Sequence, residues 1–406
     1  MSDFEPFYDV NRTYDDNYAD GPFGAFAQAL KAGDAAGSPA AGSPAESAAV
    51  PAGVAGSPAS GSPATDVPAG AASIPAVPAR ATTPLLGFDV NLPFGIPAGP
   101  LLNARYTTAA FRMGFDIATY KTVRSRAWGC NPFPNVLAVH PTAADGILSP
   151  DSAECDEGVL ADHEFETPIS ISNSFGVPSQ DPDVWQPDMQ RAMERAGRGQ
   201  LLVPSFQGSR VDGMTAEQYV ADHAVTARLV LETGAKVMEM NTSCPNEGHN
   251  RLLCHAPDQV STICEAVKNT IGDVPLIVKL AYLPSDDDLE YMVRVTAGRG
   301  LVQGFATINT ISAKLVDANG NQALPGAGRD RSGVCGAAIK PSGLDMVRRL
   351  AGLRERLELD FGIVGVGGVT EPADYFEYRA AGADAVMSAT GAMWNPDLAQ
   401  RIKQAR

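Results

Sequence analysis

The run Leu276-Ile-Val-Lys-Leu-Ala281 is followed by helical periodicity over residues 286–298 and then by Gly304-Phe-Ala-Thr-Ile-Asn309. Both short runs are too apolar for a sheet with one wet face, and an amphipathic helical stretch joins them. That is the strand–helix–strand unit of a parallel sheet covered by helices. The first run carries Lys279 near its end and the second closes on Asn309. The alternation extends in both directions. Further candidate strands lie at 95–99, 117–122, 201–207, 236–241, 362–367 and 385–389, and helical periodicity fills 216–232, 257–269, 342–356 and 371–381. Eight such units over about 320 residues predict an α/β chain folded as a (β/α)8 TIM barrel, a doubly wound open sheet being the structural alternative. Two long additions, residues 128–171 after the second strand and 310–340 after the sixth, follow strand C-terminal ends. There they are expected as extended loop insertions on the face where barrels build active sites.

Ahead of the barrel the composition changes twice. Residues 1–30 are rich in aromatics and acids (Phe7, Tyr8, Tyr14, Tyr18, Phe23), and residues 31–84 are an Ala/Gly/Ser/Pro-rich insert with imperfect repeats. The insert has too little apolar surface to offset the entropy of ordering and is expected to be disordered. Aromatics at that density favour docking of the first segment on the folded body of residues 85–406, a floppy tail being the other reading.

A net charge of -16 argues against nucleic-acid or anionic-membrane binding, because phosphate recognition needs a basic face. An acidic chain binds an anion only through a local basic pocket. The six cysteines show no CxxC pairing, hence no disulfide framework, zinc-ligand set or iron–sulfur spacing, and no metal is expected. Met1-Ser-Asp-Phe-Glu-Pro6 lacks the basic and apolar regions of a signal peptide. No apolar run approaches the roughly 18–20 residues that span a bilayer, so a soluble cytoplasmic protein is expected.

Polar residues gather where the strands finish: Lys121-Thr122 on the second, Asn241 on the fourth, Lys279 on the fifth and Asn309-Thr310 on the sixth. A lone lysine after a strand is usually solvated. Several lysines and asparagines at successive strand ends imply one mouth and a ligand rich in carbonyl, amide and anionic groups. Gly365-Val-Gly-Gly368 and Ala389-Thr-Gly391 close the last two strands before helices, the barrel position at which backbone N–H groups hold phosphate. With no GxGxxG in the first unit, a mononucleotide such as FMN fits better than NAD. Asn241-Thr-Ser-Cys-Pro-Asn246 sets a thiol between two amides just past a strand end. A thiolate there can take a proton from a carbon acid, whereas Cys130, Cys155, Cys254, Cys264 and Cys335 read as inert.

In these residues the sequence resembles the class 1 dihydroorotate dehydrogenases over residues 92–402. Asn241–Asn246 is similar to that family's Asn-Leu-Ser-Cys-Pro-Asn, and Asn173-Ser-Phe-Gly-Val-Pro178 to its Asn-Ser-Met-Gly-Leu-Pro substrate loop. Lys121-Thr-Val-Arg-Ser125 with Asn131-Pro-Phe-Pro134 resembles a segment of the fumarate-using 1A subclass. Val278-Lys-Leu280, Ile308-Asn-Thr310, Ala338-Ile-Lys-Pro341 and Gly365–Gly368 follow in order.

The resemblance implies oxidation of dihydroorotate to orotate in pyrimidine synthesis, with Cys244 as base and hydride passing to FMN. Lys121, Asn173, Asn241, Asn246, Asn309 and Thr310 are then expected to hold the pyrimidine, under the backbone of Phe175, Gly176 and Val177. Lys279 is expected beside the flavin ring, favouring its anionic reduced form. The FMN lining implied comprises Ala98, Gly99, Lys121, Thr122, Asn241 and Lys279. Later in the chain it adds Ile308, Gly333, Gly367, Gly368, Ala389 and Thr390. The loop carrying Cys244 is expected to act as a lid. Fumarate as acceptor and a homodimer follow from the same resemblance. Ser332-Gly-Val-Cys-Gly336, Thr242, Phe175 and residues 247–254 depart from the family pattern. Alternatives are a dihydropyrimidine dehydrogenase-like reductase and a barrel that binds flavin or pyrimidine without turnover.

Overall fold

The computed structural model describes residues 5–36, 82–153, 158–243 and 252–406. Eight parallel strands close into a barrel in chain order. They are Phe94–Ile96, Ile117–Val123, Leu201–Phe206, Met238–Asn241, Leu276–Leu280, Gly304–Thr307, Gly362–Val366 and Ala385–Met387. Every residue of the second, third, fourth, fifth and sixth strands is buried, as a sheet covered on both faces requires. The TIM-barrel expectation holds, and the open sheet is excluded by the pairing of the eighth strand with the first.

Helix ends follow local chemistry. Thr215 and Gln218 form a reciprocal capping box at the start of Ala216–Leu231. Ser285 caps Asp286–Val295, whose first turn carries Asp286, Asp287 and Asp288 against the positive end of the helix dipole. That helix stops short of the predicted 298: a 3-10 turn, Ala297–Arg299, takes over before the left-handed Gly300. The sixth strand likewise ends at Thr307, not 309. Past that end, Asn309 still donates its N–H to Leu280 O on the fifth strand, at the mouth.

The two insertions are not the extended loops expected. Ala138–His140, Gly158–Asp162, Ser170–Asn173, Ile311–Val316 and Arg331–Gly336 form a second, five-stranded closed sheet above the mouth. Asn173 pairs with Gly333 and Ser172 with Val334, so the predicted substrate loop springs from a strand. The opposite end of the main barrel is covered by a hairpin, Thr83–Leu85 with Phe88–Val90. Its Leu85 and Val90 join Ile117, Val203, Ile277 and Val364 in one apolar cluster.

At the N-terminus, Tyr14–Asp20 and Gly24–Ala36 are helical. The second helix runs past residue 30, where the insert was expected to begin, through an alanine-rich stretch of high helix propensity. The insert call for residues 37–81 lies outside the described residues. Phe7 stacks on Phe26 at 4.1 Å, and both rings are fully buried. Tyr106 Oη donates to Asn17 O at 2.9 Å, and Arg105 donates to Tyr18 O and Ala19 O. Among the described residues no helix is long and apolar enough to cross a membrane.

Candidate active site

A cavity opens at the C-terminal mouth of the barrel. Of the residues singled out above, Ala98, Gly99, Lys121, Thr122, Asn173 and Phe175 line it. So do Val177, Asn241, Lys279, Asn309, Ala389 and Thr390. Gly176, Ile308, Thr310, Gly333, Gly367 and Gly368 are not among its lining residues. Gly333 instead packs on Thr310, whose Oγ1 a Cβ at 333 would meet at 2.4 Å, and Gly367 packs on Ile308. Cys244 and Asn246, and with them the lid, lie outside the described residues. Tyr8, Tyr14, Val136, Glu239 and Cys335 line the cavity without having been singled out for it. A period-2 signal was available for Glu239, which stands two residues before Asn241 and so shares its face of the strand.

The barrel floor of the site is a set of fixed amides and buried charges. Asn241 Nδ2 donates to Gln207 Oε1 at 2.6 Å, and Asn241 Oδ1 accepts from Ser243 Oγ at 2.9 Å. Asn309 Nδ2 donates to that same Ser243 hydroxyl at 2.9 Å, so the two amides share one anchor. Lys279 stands opposite Asn241 in the ladder, and Glu239 opposite Ile277. Burial pushes the Lys279 ammonium down, partly offset by Glu239; burial pushes the Glu239 carboxyl up, partly offset by Lys279 and Ser205. Glu239 Oε1 is buried with no hydrogen-bond partner among the described residues.

Three cations hold the loop that forms the roof. Lys121 Nζ donates to Pro178 O at 3.4 Å and Arg124 Nε to Val177 O at 3.0 Å. Arg329 Nη2 donates to both the carbonyl (3.1 Å) and the hydroxyl (2.8 Å) of Ser174. Gly176 needs its glycine: its φ is 76°, and a Cβ would lie 2.8 Å from Asn131 Oδ1. Val177 also adopts a left-handed φ of 51°, which a branched side chain tolerates only where the surroundings impose it.

These residues fit a flavin. The stretch Pro97–Pro100 gives a side-chain-poor wall, with open space where a Cβ at Gly99 (φ 137°) would point. A planar ring lies well against such a surface. Lys279 and the unpartnered Glu239 oxygen offer a donor and an acceptor to its heteroatoms. Ala389 and Thr390, at the opening of Thr390–Trp394, add backbone N–H groups, while Ser388 Oγ accepts the Ala392 N–H of the same turn.

The comparisons with known proteins point one way. Residues 155–405 match the family described as dihydroorotate dehydrogenase. A dihydroorotate dehydrogenase of Dictyostelium discoideum is 34% identical over 323 residues, covering 78% of this chain and 85% of the relative. The catalytic subunit of an NAD(+)-type dihydroorotate dehydrogenase B of Enterococcus faecalis OG1RF is 27% identical over 238 residues, 58% of this chain and 70% of that one. A crystal structure of the Eimeria tenella enzyme in complex with ferulenol superposes with a TM-score of 0.59 at 18% identity, covering 80% of this chain and 83% of that one. The likeness in fold, the family match and the Dictyostelium relative agree: this chain belongs to the dihydroorotate dehydrogenase family of oxidoreductases.

Proposed function

We propose that the chain is a class 1, FMN-dependent dihydroorotate dehydrogenase that uses Cys244 as base and fumarate as acceptor. The observation that carries this reading is the meeting of Lys121, Asn173, Asn241, Lys279 and Asn309 around one cavity. The five come from four barrel strands or their ends and from the second sheet, and a structural role needs no such convergence. Asn241 and Asn309, pinned by Ser243, present fixed amides to the pyrimidine's imide edge. Lys121 and the backbone of the 175–177 turn face its carboxylate. The Cys244 thiolate takes the C5 proton while the C6–H bond breaks as hydride, leaving the C5=C6 double bond of orotate. FMN, when bound, supplies the hydride acceptor. Lys279 places a buried positive charge where negative charge develops, and burial makes that charge worth more than it would be in water.

Fumarate and a homodimeric state are what the resemblance of the Lys121 and Asn173 segments to the 1A subclass implies. NAD, named in the Enterococcus relative, is the competing acceptor. Steady-state assays of the purified chain with fumarate, NAD and a quinone separate them. Turnover with fumarate alone is expected. Turnover that requires NAD and a copurifying subunit overturns the acceptor assignment and leaves the oxidation of dihydroorotate standing.

A further inference from the structure

The N-terminal segment reaches the cavity described above. Tyr8 and Tyr14 both line it, and each ring meets Phe175 edge to face, at 6.0 and 6.3 Å between centroids. Phe175 belongs to the turn that roofs the site. The segment is held there by ring contacts of Phe7 with Tyr106 and of Phe26 with Phe115, and by the hydrogen bonds of Tyr106, Arg105 and Asn103 to its backbone. Tyr8 is 3% exposed, yet its Oη has no hydrogen-bond partner among the described residues. The nearby Cys130 thiol is turned to Asn135 Oδ1, at 3.7 Å. A buried hydroxyl without a partner is destabilising relative to the bare ring, so packing alone is better served by phenylalanine. Burial also pushes the phenol far above its ordinary range, which leaves it a neutral donor at any working pH.

We propose that Tyr8 Oη donates a hydrogen bond to a carbonyl or carboxylate oxygen of a ligand in this cavity, which makes the N-terminal segment part of the active site. Besides the flavin, whose retention the test reads separately, two ligands carry such an oxygen: dihydroorotate, and the molecule that reoxidises the enzyme. The inference rests on the cavity being the active site.

Tyr8→Phe removes one oxygen atom and tests it in the flavin-loaded full-length chain. Its melting temperature and flavin content are expected to equal or exceed those of the wild type. Half-saturation is expected to rise roughly tenfold, the size of one lost hydrogen bond, in one half-reaction. A rise in reduction by dihydroorotate identifies the substrate as the ligand, and a rise in reoxidation by fumarate identifies the acceptor. If both half-reactions are unchanged, or if weakening comes with lost flavin and a lower melting temperature, the inference is overturned. A wild-type flavin that dihydroorotate leaves oxidised overturns the site assignment itself, a distinguishable failure.

Discussion

Cys335 faces the cavity and accepts a hydrogen bond from the Thr390 hydroxyl at 3.4 Å, which makes it a second thiol in competition with Cys244 for the role of base. Burial pushes the Cys335 thiol up to about 11, so near neutral pH only about one molecule in 10⁴ carries the thiolate. Replacing Cys335 by alanine is expected to leave flavin reduction by dihydroorotate within a few-fold of wild type. Cys244→Ala is expected to slow it by roughly 10²–10⁴-fold or more, the worth of a general base. Stopped-flow reduction of the two variants decides between the thiols, and a dead Cys335 variant beside a live Cys244 variant reverses the assignment. Lys121, Asn241, Lys279 and Asn309 were legible in the sequence because each closes or interrupts an apolar run. Glu239 was legible only as a residue on Asn241's face of the strand: it sits between two methionines, and its meaning comes from Lys279 on the next strand. Tyr8 was further out of reach, its contact with Phe175 being made across the whole first part of the chain.

The roof over the site is built from two pieces distant in sequence, the turn after Ser170–Asn173 and the connection from Ile311–Val316 to Arg331–Gly336. Arg329 ties them. Besides Ser174 its guanidinium donates to Pro132 O, Pro134 O and Pro325 O, so among the described residues the hydrogen bonds of this buried cation end on neutral oxygens. Ser174 lies between Asn173 and Phe175, both of which line the cavity. Arg329→Met is expected to raise KM for dihydroorotate by about tenfold or more with a smaller change in kcat, because displacement of the roof loosens positioning. Arg329→Lys is expected to restore only part of the affinity, since an ammonium cannot reproduce the planar fork. An unchanged KM in steady-state assays of Arg329→Met removes Arg329 from substrate positioning. The insertions were visible as lengths, but their strands were missed although Ile311-Ser-Ala-Lys-Leu-Val316 alternates buried and half-buried residues throughout. The partners that make such short runs into a sheet lie far along the chain, and no local signal names them.

At the scale of the molecule, charge is the informative property. The chain carries a net charge of -16, yet Lys121, Arg124, Lys279 and Arg329 are all buried around one mouth. Field lines focused by low-dielectric walls make such a mouth attractive to an anion despite the acidic exterior. The barrel was legible from its repeating apolar and helical runs, which need only neighbouring residues to be read. The docking of the N-terminal aromatics depended instead on a surface that exists only once the barrel has closed: Phe26 packs near Phe115, and Tyr106 spans to Asn17. Dihydroorotate carries the carboxylate that this basic mouth suits, and dihydrouracil lacks it. The most direct measurement is therefore anaerobic absorbance of the purified protein mixed with each compound. A yellow protein whose flavin band bleaches with dihydroorotate but persists with dihydrouracil is the result expected. A colourless protein, or bleaching by dihydrouracil and not by dihydroorotate, contradicts the account.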